Sequence, residues 1–524
     1  MKSTFIYPLL AAAITLHAAQ TTIPPSEMWN LAEKDGAIHR FSILLSAQDV
    51  RDYLSSDSGI DSTIRWCKET GVTKVYVEEY RDGYEADRET LLRAKNRFRD
   101  AGFLVSGCVT TTRVGKPADH GMGGTSCCTD LPTQERLKSI FEYAASIFDE
   151  IMIDDFWFTE CTCSNCDAGR RSQTVTVGAK TYPVNDNTWS DYRRELMLRV
   201  SEDDLLSAAK HINPKARLII KYPEWYDRFQ DRGYDVARET AAFDRIWVGT
   251  ETRDPTNSRW GKLPQYQAYF LMRRLGGIGG KKCGGGWYDS FGTSPLTYIE
   301  QARQTVLAGA RESMLFSFGS LQHGGGPADV VALRTEIPEL LSVAREIRRR
   351  DPIGVAAYKP ANSDPGNESR VFDYVGMMGV PLVPCDRFPS KAPSLFLSAH
   401  ALADPNLAAE LGKYIQTGRP VLMTDGLASG LGPGVNTRAS NVVILNVNGK
   451  PDSLYSFPQY RLDELRAPLL KPFKASFQAP NRVALYLFTH GGSVIENFND
   501  EPVDVTLNGK PVHIAARAWN YRWN

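Results

Sequence analysis

Between residues 38 and 350, short apolar runs alternate with longer stretches in which apolar positions recur with helical spacing. The runs at 39–45, 73–79, 103–109, 150–156, 217–222, 245–250, 282–288 and 313–318 read as strands buried on both faces. The stretches between them, including 88–99, 134–147, 191–211, 266–275, 297–308 and 328–349, read as amphipathic helices. Eight strand-then-helix units predict a (β/α)8 TIM barrel, whose active site would be built at the C-terminal ends of its strands. An open doubly wound sheet would usually carry a Gly-rich nucleotide turn after its first strand, and none follows residue 45.

After Arg348-Arg349-Arg350-Asp351-Pro352 the alternation restarts with strands at 353–357, 381–384, 394–397 and 420–424 and helices at 368–380 and 406–417. This predicts a smaller α/β domain. From about residue 457 the helical pattern fades, and 483–488, 493–497 and 503–507 alternate with turn signals such as Asn508-Gly509, predicting a small antiparallel β domain. The chain start has a different character. Lys2, the apolar run from Phe5 to Leu16 and the small residues Ala18 and Ala19 read as a secretory leader. The expected division is a leader at 1–19, a barrel at 20–350, an α/β domain at 351–456 and a β domain at 457–524, secreted or periplasmic and without a membrane span.

Composition narrows the partners. Lys+Arg 61 balance Asp+Glu 61, which argues against nucleic acid, since that partner needs an excess of cations, and favours an uncharged or weakly charged substrate. An exported barrel of neutral charge makes hydrolysis of a glycan the first chemistry to test, and that chemistry needs two carboxylates beside the scissile bond. Four strand ends offer them: Glu78-Glu79, Asp154-Asp155, Glu224 and Glu251. Asp154 and Asp155 are followed at once by Phe156, Trp157 and Phe158, and aromatic walls suit the C–H faces of a sugar. Asp155 is the expected nucleophile or base. Glu251, with open space at Gly249 on the same face, is the expected general acid, and Glu224 is its competitor. Asp154, Glu79, Tyr222, Glu224, Arg253, Trp157 and Trp287 are expected to bind or orient the sugar. The eight His residues include no His-x-His or His-Glu-x-x-His, and no Gly-x-Ser-x-Gly occurs, so catalytic zinc and serine esterase chemistry lack their motifs.

Nine cysteines include a tight Cys161-x-Cys163-x-x-Cys166 cluster. A fourth ligand from Cys108, Cys127 or Cys128, with Cys128 the one chosen, would close a structural tetrahedral zinc site; a disulfide from Cys127 or Cys128 to the cluster is the rival. No cofactor is expected for catalysis itself.

The order of domains, with the cysteine cluster shortly after strand 4, resembles the family 42 β-galactosidases. The resemblance implies a structural zinc at that cluster and a middle domain, similar to glutamine amidotransferases, that helps form homo-oligomers. The carboxylates depart from it. The family has Asn-Glu at strand 4 and a Glu on strand 7, where this chain has Asp154-Asp155 and Asp289. A strand 4 Asp with a strand 6 carboxylate looks more like α-galactosidase-type barrels. The expected activity is glycoside hydrolysis on an oligo- or polysaccharide, the alternative a carbohydrate-binding protein that kept the scaffold and lost the chemistry.

Overall fold

The computed structural model describes residues 24–257, 259 and 262–523. The leader expected at 1–19 lies outside them. Eight parallel strands close a barrel: β1 (Arg40–Leu45), β2 (Val72–Arg81), β3 (Leu104–Val109), β4 (Glu150–Ile153), β5 (Arg217–Tyr222), β6 (Arg245–Gly249), β7 (Cys283–Asp289) and β8 (Glu312–Phe316). Closure is direct, because β1 pairs with β8 on one side and β2 on the other. Helices such as Leu131–Ala145, Gln267–Gly279, Pro295–Leu307 and Gly326–Ile347 cover the outside.

Inside, Leu44, Tyr76, Cys108, Met152, Ile219, Trp247, Trp287 and Met314 pack as one cluster, one residue from each strand in turn. This layer fixes the parity of every strand, because successive side chains alternate between the lumen and the helices. Two residues further along, Glu78, Thr110, Asp154, Lys221, Gly249, Asp289 and Phe316 therefore face the mouth of the barrel. Their odd-numbered or even-numbered neighbours face the helices.

The middle domain is a parallel sheet of β9 (Val355–Tyr358), β10 (Leu382–Cys385), β11 (Leu395–Leu397), β12 (Val421–Thr424) and β13 (Val442–Leu445), in the spatial order β10-β9-β11-β12-β13. This is the flavodoxin-like order of doubly wound folds. The helix Gln459–Leu470 then leads to antiparallel strands, a helix where the sequence pattern suggests that helices fade. Val483–Phe488 pairs with Ser493–Asn497, and Val503–Leu507 with Lys510–Ile514, around a tight turn in which Asn508 and Gly509 both take positive φ, at 52° and 74°. Asn-Gly tolerates that conformation, which explains the turn signal in the sequence. No described helix is long and apolar enough to cross a membrane.

Candidate active site

A pocket of about 600 Å³ opens at the C-terminal ends of the barrel strands. Its floor is built by residues that follow the strand parity. Lys221, the last inward residue of β5, reaches Asp155 Oδ2 at 2.8 Å and Glu251 Oε1 at 2.6 Å. Its ammonium lies 4.2 Å from the centre of the Trp287 ring, a cation–π contact that adds to its anchorage. One oxygen each from Asp155, Glu224 and Glu251 lies within 4.8 Å of the others. Such a convergence of carboxylates calls for a cation, and Lys221 supplies one. Burial raises the pKa of Asp155 to about 7 and of Glu251 to about 8, with Lys221 opposing the rise in both.

Gly249 is required here. A Cβ at that position would stand 2.5 Å from Glu251 Oε2 and 2.9 Å from the Glu224 backbone nitrogen, so only glycine leaves the Glu251 carboxyl its place. That same Oε2 is buried and has no hydrogen-bond partner. A buried acceptor left in that state is costly unless protonation or a substrate hydroxyl satisfies it.

Around the floor the charges are paired. Asp154 accepts from Arg81 at 2.7 Å and Thr110 at 3.2 Å, and Arg81 also grips Glu78 through two bonds of 2.7 and 3.0 Å. Burial alone would raise the Asp154 pKa, but Arg81 and Lys221 outweigh it and hold the group below its ordinary value. Opposite, Arg253 takes Asp289 through bonds of 3.0 and 2.6 Å and lies 3.5 Å from Glu224. Phe156, Phe158, Trp225, Trp287 and Phe316 form the apolar walls, with Trp287 and Phe316 stacked at 5.2 Å.

Of the residues expected from sequence, the pocket brings together Asp154, Asp155, Glu224, Glu251, Arg253 and Trp287. Three others lie elsewhere. Glu79 faces the helices, because Glu78 takes the inward position; its carboxylate is buried without a hydrogen-bond partner. Tyr222 likewise points outward and bonds Thr240 at 3.1 Å, leaving the pocket to Lys221. Trp157 is buried in the core, donating to Ser201 at 2.8 Å, while its neighbours Phe156 and Phe158 line the pocket. Lys221 and Arg81 are the working residues that sequence reasoning passed over, and Glu78, named there among the strand-end carboxylates, takes the inward place expected of Glu79. Counting two residues outward from Ile219 and Tyr76 would have found Lys221 and Glu78.

The cysteine set is also corrected. Cys127, Cys161, Cys163 and Cys166 bring their sulfurs together, whereas Cys128 turns away toward the Ser126 carbonyl at 3.8 Å. Sulfur separations are 3.7 Å for Cys127–Cys163, 3.8 Å for Cys127–Cys166 and 3.7 Å for Cys163–Cys166. Four thiolates at the usual Zn–S distance of about 2.3 Å in a tetrahedron stand about 3.8 Å apart, whereas a disulfide needs about 2.05 Å. The geometry fits a metal. Asp119 braces the loop that carries the cluster, accepting from the Thr162 N–H at 2.7 Å. His323, in the loop after β8, bonds Tyr53 on the exposed surface at 2.9 Å.

The middle domain braces one pocket wall. The helical turn Tyr226–Arg232, which follows Glu224 and Trp225, sends Asp227 to His400 at 3.0 Å and Tyr226 to Asp373 at 3.1 Å. His400 is bonded in turn to Ser398 at 2.9 Å. This Ser-His-Asp chain has the order of a hydrolase triad, yet Ser398 and His400 are fully buried, so it joins the two domains.

Comparison with known proteins bears on the fold and the family. Over 345 residues the chain is 27% identical to an uncharacterized protein of Saccharolobus solfataricus, covering 62% of this chain; it spans 57% of the length of that relative. Among solved structures it is similar to alpha-L-fucosidase isoenzyme 2 from Paenibacillus thiaminolyticus, with TM-score 0.60 and 10% identity over 90% of this chain and 93% of that one. It is also similar to the exo-beta-1,4-mannosidase Op5Man5 from Opitutaceae bacterium strain TAV5, with TM-score 0.50 and 13% identity over 76% and 79% of the two chains. At such identities these likenesses speak for the fold. A family model described as the catalytic domain of a probable glycosyl hydrolase matches residues 26–329, more than half of the sequence, and the chain belongs to that glycosyl hydrolase family.

Proposed function

We propose that the protein is a retaining glycosidase in which Asp155 is the nucleophile and Glu251 the general acid and base. The observation that carries this reading is the convergence of Asp155, Glu224 and Glu251 oxygens within 4.8 Å on the floor of one pocket. Close carboxylates, about 5–5.5 Å apart, belong to double displacement; single displacement needs about 6.5–9.5 Å to admit a water. The Asp155 carboxylate attacks the anomeric carbon as the bond to the leaving oxygen breaks, and Glu251 gives its proton to that oxygen. Water then takes the sugar from Asp155 while Glu251 receives the water's proton. Lys221 holds both carboxyls in place, and the order of their pKa values gives Glu251 the proton when Asp155 is ionised. Asp154 and Arg253 orient the site, and Trp287, Phe156 and Phe158 offer apolar faces to the sugar. What stands of the family 42 resemblance is its coarser content, glycoside hydrolysis.

A second assignment, Glu224 as acid, is favoured by its more open position: its side chain is 15% exposed against 2% for Glu251. The deciding experiment starts from a panel of aryl glycosides that identifies a cognate sugar. Glu251→Gln should then be slow on poor leaving groups, fast on activated ones, and rescued by azide as an external nucleophile. If Glu224→Gln shows that pattern and Glu251→Gln does not, the roles exchange. Inversion of the anomeric centre, read by NMR of the first product, would overturn double displacement.

The same reading includes a structural zinc held by Cys127, Cys161, Cys163 and Cys166. When bound it would supply four strong bonds and no chemistry on the sugar. The loop between β4 and the cluster carries Phe156 and Phe158, so its job is to fix one wall of the pocket. Export to the periplasm or outside the cell is part of the proposal.

A further inference from the structure

Beside the catalytic pocket lies a second groove of about 360 Å³, within the size range of a ligand site. The two spaces share Trp225, Arg232 and Arg370 in their linings, so the groove continues the pocket toward the middle domain. Their charges are organised differently. In the pocket, Arg81, Lys221 and Arg253 each sit on carboxylates. The groove lining also carries Glu160, Asp227 and Asp231, but Glu160 pairs with Arg232, Asp231 with Arg228 and Asp227 with His400, which leaves two guanidinium groups of the lining over. In the groove, Arg193 donates only to the backbone carbonyls of Asp231 at 2.7 Å and Glu160 at 2.8 Å, and its Nε is buried without a partner. Arg370, which reaches in from the middle domain, donates to the side-chain oxygen of Gln267. Among the described residues neither guanidinium forms an ion pair with a carboxylate.

Two guanidinium groups without carboxylate partners, one from each domain, facing one groove, make a site for an anion, because the planar fork of arginine pairs with carboxylate and sulfate oxygens alike. We propose that this groove is a subsite for a sugar residue bearing a carboxylate or sulfate group, adjacent to the residue at the scissile bond. The inference rests on the glycosidase reading and specifies its substrate class: an anionic glycan. The balanced composition of the chain averages out this local excess of cation.

The test uses full-length Asp155→Asn protein, to bind without turnover, on an oligosaccharide array holding each backbone in neutral, uronate and sulfated forms. Retention of anionic members over their neutral counterparts is expected, weakening about tenfold or more in Arg370→Gln, with the uronate and sulfate arms showing which anion is read. Arg193→Gln, a buried change, is checked for folding by circular dichroism and should weaken the same members. Equal retention of neutral and anionic members, or an anionic preference unchanged in both folded variants, overturns the proposal. Aryl glycoside turnover by the wild-type chain separates the two levels: turnover without anionic preference removes this inference alone, and absence of both removes the glycosidase reading as well.

Discussion

The two ends of the barrel carry the same chemical trio, one lysine between two carboxylates, and use it differently. At the N-terminal end Lys74 sits 2.8 Å from Glu150 and 3.5 Å from Glu312. Ser106 donates to Glu150 and the Tyr76 hydroxyl to Glu312, both at 2.9 Å. Burial would raise the Glu150 pKa, but Lys74 and its other partners overcome it and hold the group below its ordinary value. At the C-terminal end Lys221 also bridges two carboxylates, yet one Glu251 oxygen has no partner, the Asp155 side chain is 20% exposed to the pocket, and burial wins in both. A trio in which each carboxylate oxygen has a partner closes a barrel. A trio left short of partners holds a proton ready near neutral pH.

The comparison can be broken most severely at the carboxylates. Asp155→Asn and Glu251→Gln should each lower kcat/KM by about 10²–10⁴-fold or more on the cognate glycoside, with unchanged circular dichroism; the isosteric Glu312→Gln should leave the rate per folded molecule near wild type. The lysines come next. Lys74→Met removes one partner of a buried pair and should cost about 3–5 kcal/mol of stability in urea unfolding, leaving the pH profile in place. Lys221→Met takes away the cation that lowers both carboxyl pKa values, so both limbs of the profile should move to higher pH.

In the wild type, kcat/KM should rise as Asp155 ionises near pH 7 and fall as Glu251 loses its proton near pH 8, giving a narrow bell. A flat profile between pH 5 and 9 would separate the trio from catalysis. The smallest effect belongs to the metal. Elemental analysis should find one zinc per chain, and Cys163→Ser or a strong chelator should lower Tm and raise KM more than it lowers kcat, since the cluster steadies the wall bearing Phe156 and Phe158. Cys128→Ser should retain the zinc.

How far the site was legible follows from what each residue depends on. Asp155, Glu251 and Trp287 stand out because strand ends can be located from apolar runs, and in a barrel those ends converge. Glu79 and Tyr222 were drawn in by side-chain chemistry alone, although strand alternation turns them to the helices and puts Glu78 and Lys221 in their place. Trp157 belongs to a loop, where alternation does not hold, and its indole is claimed by Ser201. Cys127 and Cys128 are adjacent and chemically identical, so only the path of their loop distinguishes them.

By itself, then, the sequence determined the barrel, the two smaller domains and the strand ends at which chemistry can occur. These depend on local periodicity and on apolar burial, both written in the order of residues. Only the tertiary structure decided which side chains meet: that Lys221 joins Asp155 to Glu251 from another strand, that four particular sulfurs stand at tetrahedral spacing, and that Arg370 reaches the pocket from a second domain. Such encounters join residues far apart in the chain, and their energies depend on distance and desolvation, quantities that exist only once the chain has closed on itself.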